Sequence, residues 1–223
     1  MNGKKFLMKI ALIDNMNNNF FAIARYFHEL KIEADLFLIP DRSNFHFDPR
    51  HDTWHNLNDC EWIKEFPITS NWKNYYLPIG TYLNKTFKKY DKLIACGASI
   101  GLLWRAGLKA DIFIPYGSDL YNLPFAHKYD LGTDIKSVFH KFITTKRRAK
   151  SQKKGIISAK KIISNTNWKI AQDALLELKC NAINLPRIMV YKENIPHKIR
   201  SKYGWLKKKR FYSFFPNSPY LEN

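Results

Sequence analysis

The fold turns on one stretch: Lys9-Ile-Ala-Leu-Ile-Asp14, then Asn15-Met-Asn-Asn-Asn19, then, after an intervening segment, Glu33-Ala-Asp-Leu-Phe-Leu-Ile39. The first part is a short apolar run bounded by polar residues, the pattern of a buried strand. The asparagine cluster forms a turn and can cap a helix. Phe20, Ile23, Ala24, Phe27 and Leu30 recur at helical spacing. The third part reads as a second strand, stopped by Pro40. Strand, helix and strand in close succession make a βαβ unit with a right-handed crossover, the start of a parallel sheet.

Outward from this unit the alternation continues. Residues 41–72 are irregular, with Asp, His, Asn and Trp interleaved. Ile79, Tyr82, Leu83, Phe87 and Tyr90 mark the buried stripe of a helix, and Asp91–Gly97 a strand ending in glycine. Ser99 is placed to cap a helix through Ala106, with Gly107 as its stop. Asp111–Tyr116 is a further strand, ending at Pro115. Asp134 to about Lys154 has Ile135, Val138, Phe139, Phe142 and Ile143 on one helical face. Lys160–Ser164 is a short strand, and Asn165 or Thr166 caps a helix carrying Trp168, Ala171, Leu175 and Leu178. Leu185–Pro196 reads as a connection, and Lys207–Phe215 begins as another strand would. The expected class is α/β: a Rossmann-like, mostly parallel sheet flanked by helices. Such sheets bind ligands beyond the carboxyl ends of their strands. Three loops qualify: Asn15–Asn19, Gly97–Ser99 and Tyr116–Asp119.

Composition narrows the function. The chain has 223 residues, 45% hydrophobic and 15% aromatic, enough core to oppose chain entropy, so disorder is excluded. Nine glycines exclude a collagen-like chain. No apolar run reaches the roughly 18 residues of a spanning helix. Three widely spaced cysteines make no disulfide framework. The N-terminus lacks the h-region and cleavage site of a signal peptide, which points to a cytoplasmic protein. The net charge of +18 is uneven: residues 1–70 carry a net of −2 and residues 71–223 a net of +20. Between Asp134 and Asp173 there are eleven Lys/Arg and no acid. Such a field attracts a polyanion: nucleic acid, an anionic membrane surface or a phosphorylated small molecule. The bland alternative is a solvated basic face.

The first loop lacks a G-x-G-x-x-G fingerprint, so a dinucleotide reading has little support. Its Asn15, Asn17 and Asn18 are suited to a sugar hydroxyl or phosphate, or serve as turn and cap residues. In Tyr116-Gly-Ser-Asp-Leu120, directly after a strand, Gly117 permits a sharp turn. Ser118 and Asp119 would then project into the crevice, where an aspartate orients a hydroxyl or removes its proton. The bland account makes Asp119 an N-cap or turn residue. His46, His51 and His55, with Asp48, Asp52 and Cys60, match no standard zinc spacing. Cys96, beside Gly97, has no base placed near it by sequence.

Pro115-Tyr-Gly-Ser-Asp-Leu120, preceded by Leu102-Leu-Trp-Arg-Ala-Gly-Leu-Lys-Ala-Asp111, resembles the N-terminal domain of family 4 glycosyltransferases, which are GT-B enzymes. Lys9–Asn15 with its polar loop and following helix is similar to the same domain. So is Lys161-Ile-Ile-Ser-Asn165 with its helix and Leu185-Pro-Arg-Ile188. As a pattern the resemblance covers residues 8–215, and Tyr116–Leu120 is its most specific motif. It implies transfer of a sugar from a nucleotide-sugar donor to an acceptor hydroxyl, in surface polysaccharide or glycolipid synthesis, with no cofactor and no metal. Asp119 would then act on the acceptor hydroxyl as the catalytic group. Asn15, Asn17, Asn18, Gly97, Ser99, Tyr116, Gly117 and Ser118 would line the substrate cleft.

The sequence departs from the family in two respects. Many relatives carry glycines in the first loop. The family's second domain, which holds most of the donor site, would begin here near Lys207. The expected organisation is therefore an acceptor-side domain at 1–206 and the start of a truncated second domain at 207–223. Its paired glutamates and its phosphate-binding Arg/Lys have no counterpart, so the chain alone is expected to be inactive: a truncated product, a partial sequence or a subunit completed by a separate C-terminal half. The basic helix suits peripheral attachment at the inner face of the membrane, near a glycan or lipid-linked acceptor. The competing class is a basic nucleic-acid-binding module, with Trp168, Tyr203, Trp205, Phe211 and Tyr212 available to stack on bases. No helix-turn-helix, zinc-finger or RRM signature accompanies them, and nucleic acid is not the expected partner.

Overall fold

A computed structural model describes residues 8–42, 47–51, 60–69, 71–128, 135–186 and 189. These residues form an α/β fold in which seven parallel strands are ordered β3-β2-β1-β4-β5-β6-β7. The strands are β1 (Lys9–Ile13), β2 (Glu33–Leu38), β3 (Ile63–Glu65), β4 (Lys92–Ala95), β5 (Ile112–Phe113), β6 (Lys161–Ser164) and β7 (Ile183–Asn184). The helices are α1 (Asn19–Glu29), α2 (Gly80–Phe87), α3 (Ser99–Arg105), α4 (Ser118–Tyr121), α5 (Ile135–Ser158) and α6 (Lys169–Leu178). β1 pairs with β2 on one side, Leu12 opposite Leu36, and with β4 on the other, Leu12 opposite Ile94.

The central strands are buried on both faces, which explains their continuous apolar runs. Alternate residues serve opposite cores. Ile10, Leu12, Leu36, Ile94 and Cys96 pack with Phe20, Phe21 and Ala24 of α1. Ala11, Ile13, Phe37, Ala95 and Phe113 pack with Leu83, Phe87, Ile100, Ile156 and Leu175 of the other helices. α5 crosses α3 very closely. A Cβ on Gly155 would overlap the Ile100 carbonyl oxygen, so a glycine at this point of α5 is a packing requirement.

Several expectations shift in detail. The irregular stretch contains the short edge strand β3, too brief and too polar to show a period. Tyr82 and Trp168 are exposed rather than buried, because α2 and α6 turn those positions to solvent while Leu83, Phe87, Ala171, Leu175 and Leu178 face the core. Ser99 does not cap α3: its hydroxyl donates to the Cys96 carbonyl at 2.6 Å and lies inside the helix. α5 runs one turn beyond the expected end, to Ser158. The expected domain boundary at 206/207 and the strand at 207–215 lie outside the described residues.

No helix among the described residues is long and apolar enough to cross a membrane.

Candidate functional site

The strand order reverses between β1 and β4, and the loops leaving these neighbours diverge to opposite sides of the sheet. The crevice so formed is where the polar loops meet. β1 ends in Asp14, fully buried, with φ 71. Its Oδ1 accepts from the Asn15 amide at 2.9 Å and its Oδ2 from Arg42 Nη1 at 2.6 Å. Burial pushes the Asp14 carboxyl up, while the Arg42 guanidinium draws it back. Gly97, after β4, has φ 63, and a Cβ there would overlap Asp14 Oδ2. Only glycine lets the β4 turn pass beneath this ion pair.

The first loop is a 3-10 turn at Met16–Asn18 with Asn17 and Asn18 both left-handed, a conformation asparagine tolerates well. Asn15 is buried. Its Oδ1 accepts from the Phe21 amide at 2.9 Å, capping α1, and its Nδ2 donates to Asn18 Oδ1 at 2.7 Å and to the Phe47 carbonyl at 2.9 Å. Asn18 Nδ2 donates to the Asp48 carbonyl at 3.3 Å. These asparagines tie the loop to residues 47–48.

The second turn, after β5, is organised by Asp119. Its Oδ2 accepts from the Gly97 amide at 2.9 Å, and its Oδ1 from the Tyr116 and Gly117 amides at 3.0 and 2.9 Å. The side chain is sealed from solvent and does not project into the crevice as its position after the strand suggested. Burial pushes its carboxyl up to about 6 against the pull of these backbone donors. Asp119 thus forms the turn and ties the β5 loop to the β4 loop. Ser118 is the exposed side chain of this turn, and Gly117 supplies its φ of 147. Tyr116 is largely buried against Phe20, ring centroids 6.2 Å apart.

Sequence reasoning missed Gln152. From the buried face of α5 its Nε2 donates to the Gly97 carbonyl at 3.0 Å and to the Asp119 carbonyl at 2.8 Å. A glutamine in a lysine-rich helix gives no sign of this role. The structure therefore brings Asn15, Asn18, Gly97, Tyr116, Gly117 and Ser118 to the carboxyl edge of the sheet around the switch point. It places Ser99 and Asp119 beneath that edge as supports.

Among the described residues, spaces open at this edge in two places. Between the ends of β5 and β6, beside Gly117 and Trp168, is a gap of about 10 Å³, room for a single water. Beyond β2 and β3 is a cleft of about 390 Å³ bounded by Ile39, Arg42, Phe47, Arg50, Lys64 and Glu65. Its size suits a small ligand. It lies in the irregular region where no periodicity flagged a site. Asp48, at its margin, pairs with Arg50 at 2.5 Å, and Cys60 is buried. Of the histidine cluster, His46 and His55 lie outside the described residues, as does Asp52. No cluster of metal-ligating side chains occurs among the described residues. Cys96 is sealed in the core, its thiol pushed well up by burial, which disfavours the reactive thiolate. Neither a family model nor a curated protein matches the chain.

Proposed function

We propose that this chain provides the acceptor-side domain of a GT-B-type glycosyltransferase, working with a second Rossmann domain that holds the nucleotide sugar. The observation that carries this reading is the cleft of about 390 Å³ beyond the carboxyl ends of β2 and β3 of a parallel sheet, whose lining residues Phe47 and Asp48 are tied by their carbonyls to Asn15 and Asn18 and whose Arg42 pairs with Asp14. Arg50, Lys64 and Glu65 offer hydroxyl-binding groups on its rim, and Phe47 and Ile39 give an apolar wall. Asp119 acts as a positioning residue, fixing the Gly97 and Tyr116–Ser118 backbone that an acceptor would meet. The fold-level likeness and the Tyr116–Leu120 motif support the reaction class.

The exposed face of α5, with Lys146, Arg147, Lys150 and Lys154, suits an anionic membrane surface near a lipid-linked acceptor. Co-sedimentation should then favour anionic over neutral liposomes; equal binding, or none, removes the membrane role.

The reaction class is tested by amide NMR of the purified chain with saccharides, lipid-phosphate saccharides and nucleotide sugars. Acceptor-type glycans should move the Arg42, Phe47 and Lys64 resonances of the cleft together with those of Gly97 and Tyr116–Ser118, and the chain alone should transfer no sugar. Clear turnover by the isolated chain, or silence across the glycans, overturns the reading. A salt-dependent shift of single-stranded DNA instead favours the nucleic-acid module.

A further inference from the structure

Arg148 is unlike the other cations of α5. Lys146, Arg147, Lys150 and Lys154 are exposed, and Arg147 stacks on Tyr76 with its guanidinium 4.0 Å from the ring centroid. Arg148 is half-buried, four residues before the buried Gln152 on the same face of α5, and has no ion pair among the described residues. Its Nε is buried without a hydrogen-bond acceptor. An arginine in that setting is normally paired, because burial of an uncompensated guanidinium is costly. One turn further along α5, Gln152 Nε2 donates to the Gly97 carbonyl at 3.0 Å, and a Cβ on Gly97 would stand 3.2 Å from Arg42 Nη1, so this face of α5 meets the Asp14–Arg42 pair. Arg148 and Arg42 both act on the Asp14 carboxyl and on the buried Tyr75 hydroxyl. Two guanidiniums, from the β2 loop and from α5, thus converge on the switch point. The acids facing them are Asp14, which is bound to Arg42, and Asp41 on the exposed turn. Arg42 also borders the large cleft.

We propose that Arg148 and Arg42 form an anion-binding subsite at the β1–β4 switch point that takes the phosphate or diphosphate group of an ester ligand. The chemistry favours phosphate over carboxylate. A planar carboxylate is satisfied by one guanidinium fork, and Asp14 already occupies part of Arg42. A tetrahedral phosphate has oxygens for forks arriving from two elements. The subsite rests on charge and burial alone and stands whether or not sugar transfer is the reaction.

The test uses the full chain with two probes: inorganic pyrophosphate, read by calorimetry, and vesicles carrying phosphatidic acid, read by co-sedimentation. Arg148→Gln should weaken binding by about tenfold or more, while Lys88→Gln, on the exposed end of α2, should leave it within about twofold. Arg148→Lys, which keeps the charge and loses the fork, should fall between. Loss in Arg148→Gln with pyrophosphate assigns a soluble ester; loss with vesicles only assigns a lipid headgroup; either supports the subsite. In the unmodified chain the Arg148 Nε–H resonance should move on adding pyrophosphate, a readout that survives if Arg148→Gln fails to fold. Absence of binding to both probes, an unmoved Nε–H resonance, equal binding by Arg148→Gln, or an equal loss in Lys88→Gln overturns it.

Discussion

The turns after β1 and β5 solve one problem in two ways. Each carries a fully buried aspartate at the carboxyl edge of the sheet. Asp14 is compensated by a side chain, Arg42, brought from the end of the neighbouring strand. Asp119 is compensated by backbone amides of its own turn and of Gly97. A side-chain partner is lost with one substitution, whereas peptide donors are lost only if the turn changes shape. The first turn is therefore the mutable one, and the second is rigid as long as its aspartate stays.

Gly97, in the turn after β4, touches both aspartates, so Gly97→Ala should be the most damaging change. Its Cβ would displace Asp14 from Arg42 and impose a left-handed alanine, for roughly 4 kcal/mol or more. Denaturant unfolding should show a largely unfolded chain; near-native stability would mean the turns are independent. Arg42→Met should cost about 3 kcal/mol by stranding a buried carboxylate, and Asp14→Asn in the same chain should recover much of it. An additive double variant would show that the pair is not coupled. Gln152→Leu leaves the Gly97 and Asp119 carbonyls without their side-chain donor and should cost about 2 kcal/mol. The smallest effect concerns pH. The Asp119 carboxyl is raised to about 6 in the folded chain, so folding favours its neutral form. Its contribution is greatest below the ordinary carboxylate range of about 4 and is lost as pH rises through about 6. Thermal midpoints of the native chain, compared with Asp119→Asn, should fall across that window; a flat difference would show that the peptide donors cancel burial, and a rise that they outweigh it.

Much of this arrangement is readable in the residues. Lys9–Ile39 carries two continuous apolar runs around one helical period, strong enough to place β1, α1 and β2 within a residue or so. The glycine-ended β4 and the proline-stopped β5 locate two of the three loops. Direction is what the sequence withholds. Asp119 follows a strand in either reading; whether it faces solvent or its own amides depends on the φ of Gly117 and on the neighbouring Gly97. Arg148 is one of eleven cations in an acid-free run, and only the crossing of α5 over α3 turns it inward. β3 escaped because three residues cannot display a period.

The pairing of β1 with β4 has a kinetic consequence. Ile10 lies opposite Lys92, so the strands that bound the crevice come from distant parts of the chain. Closing that loop costs entropy before any contact repays it, and parallel pairings of this kind form slowly. The crevice is absent until β4 docks, whereas β1, α1 and β2 can associate earlier as a local unit. Recovery of ligand binding during refolding would therefore report the late, long-range step of folding, in step with burial of Leu12 and Ile94 rather than with early helix formation.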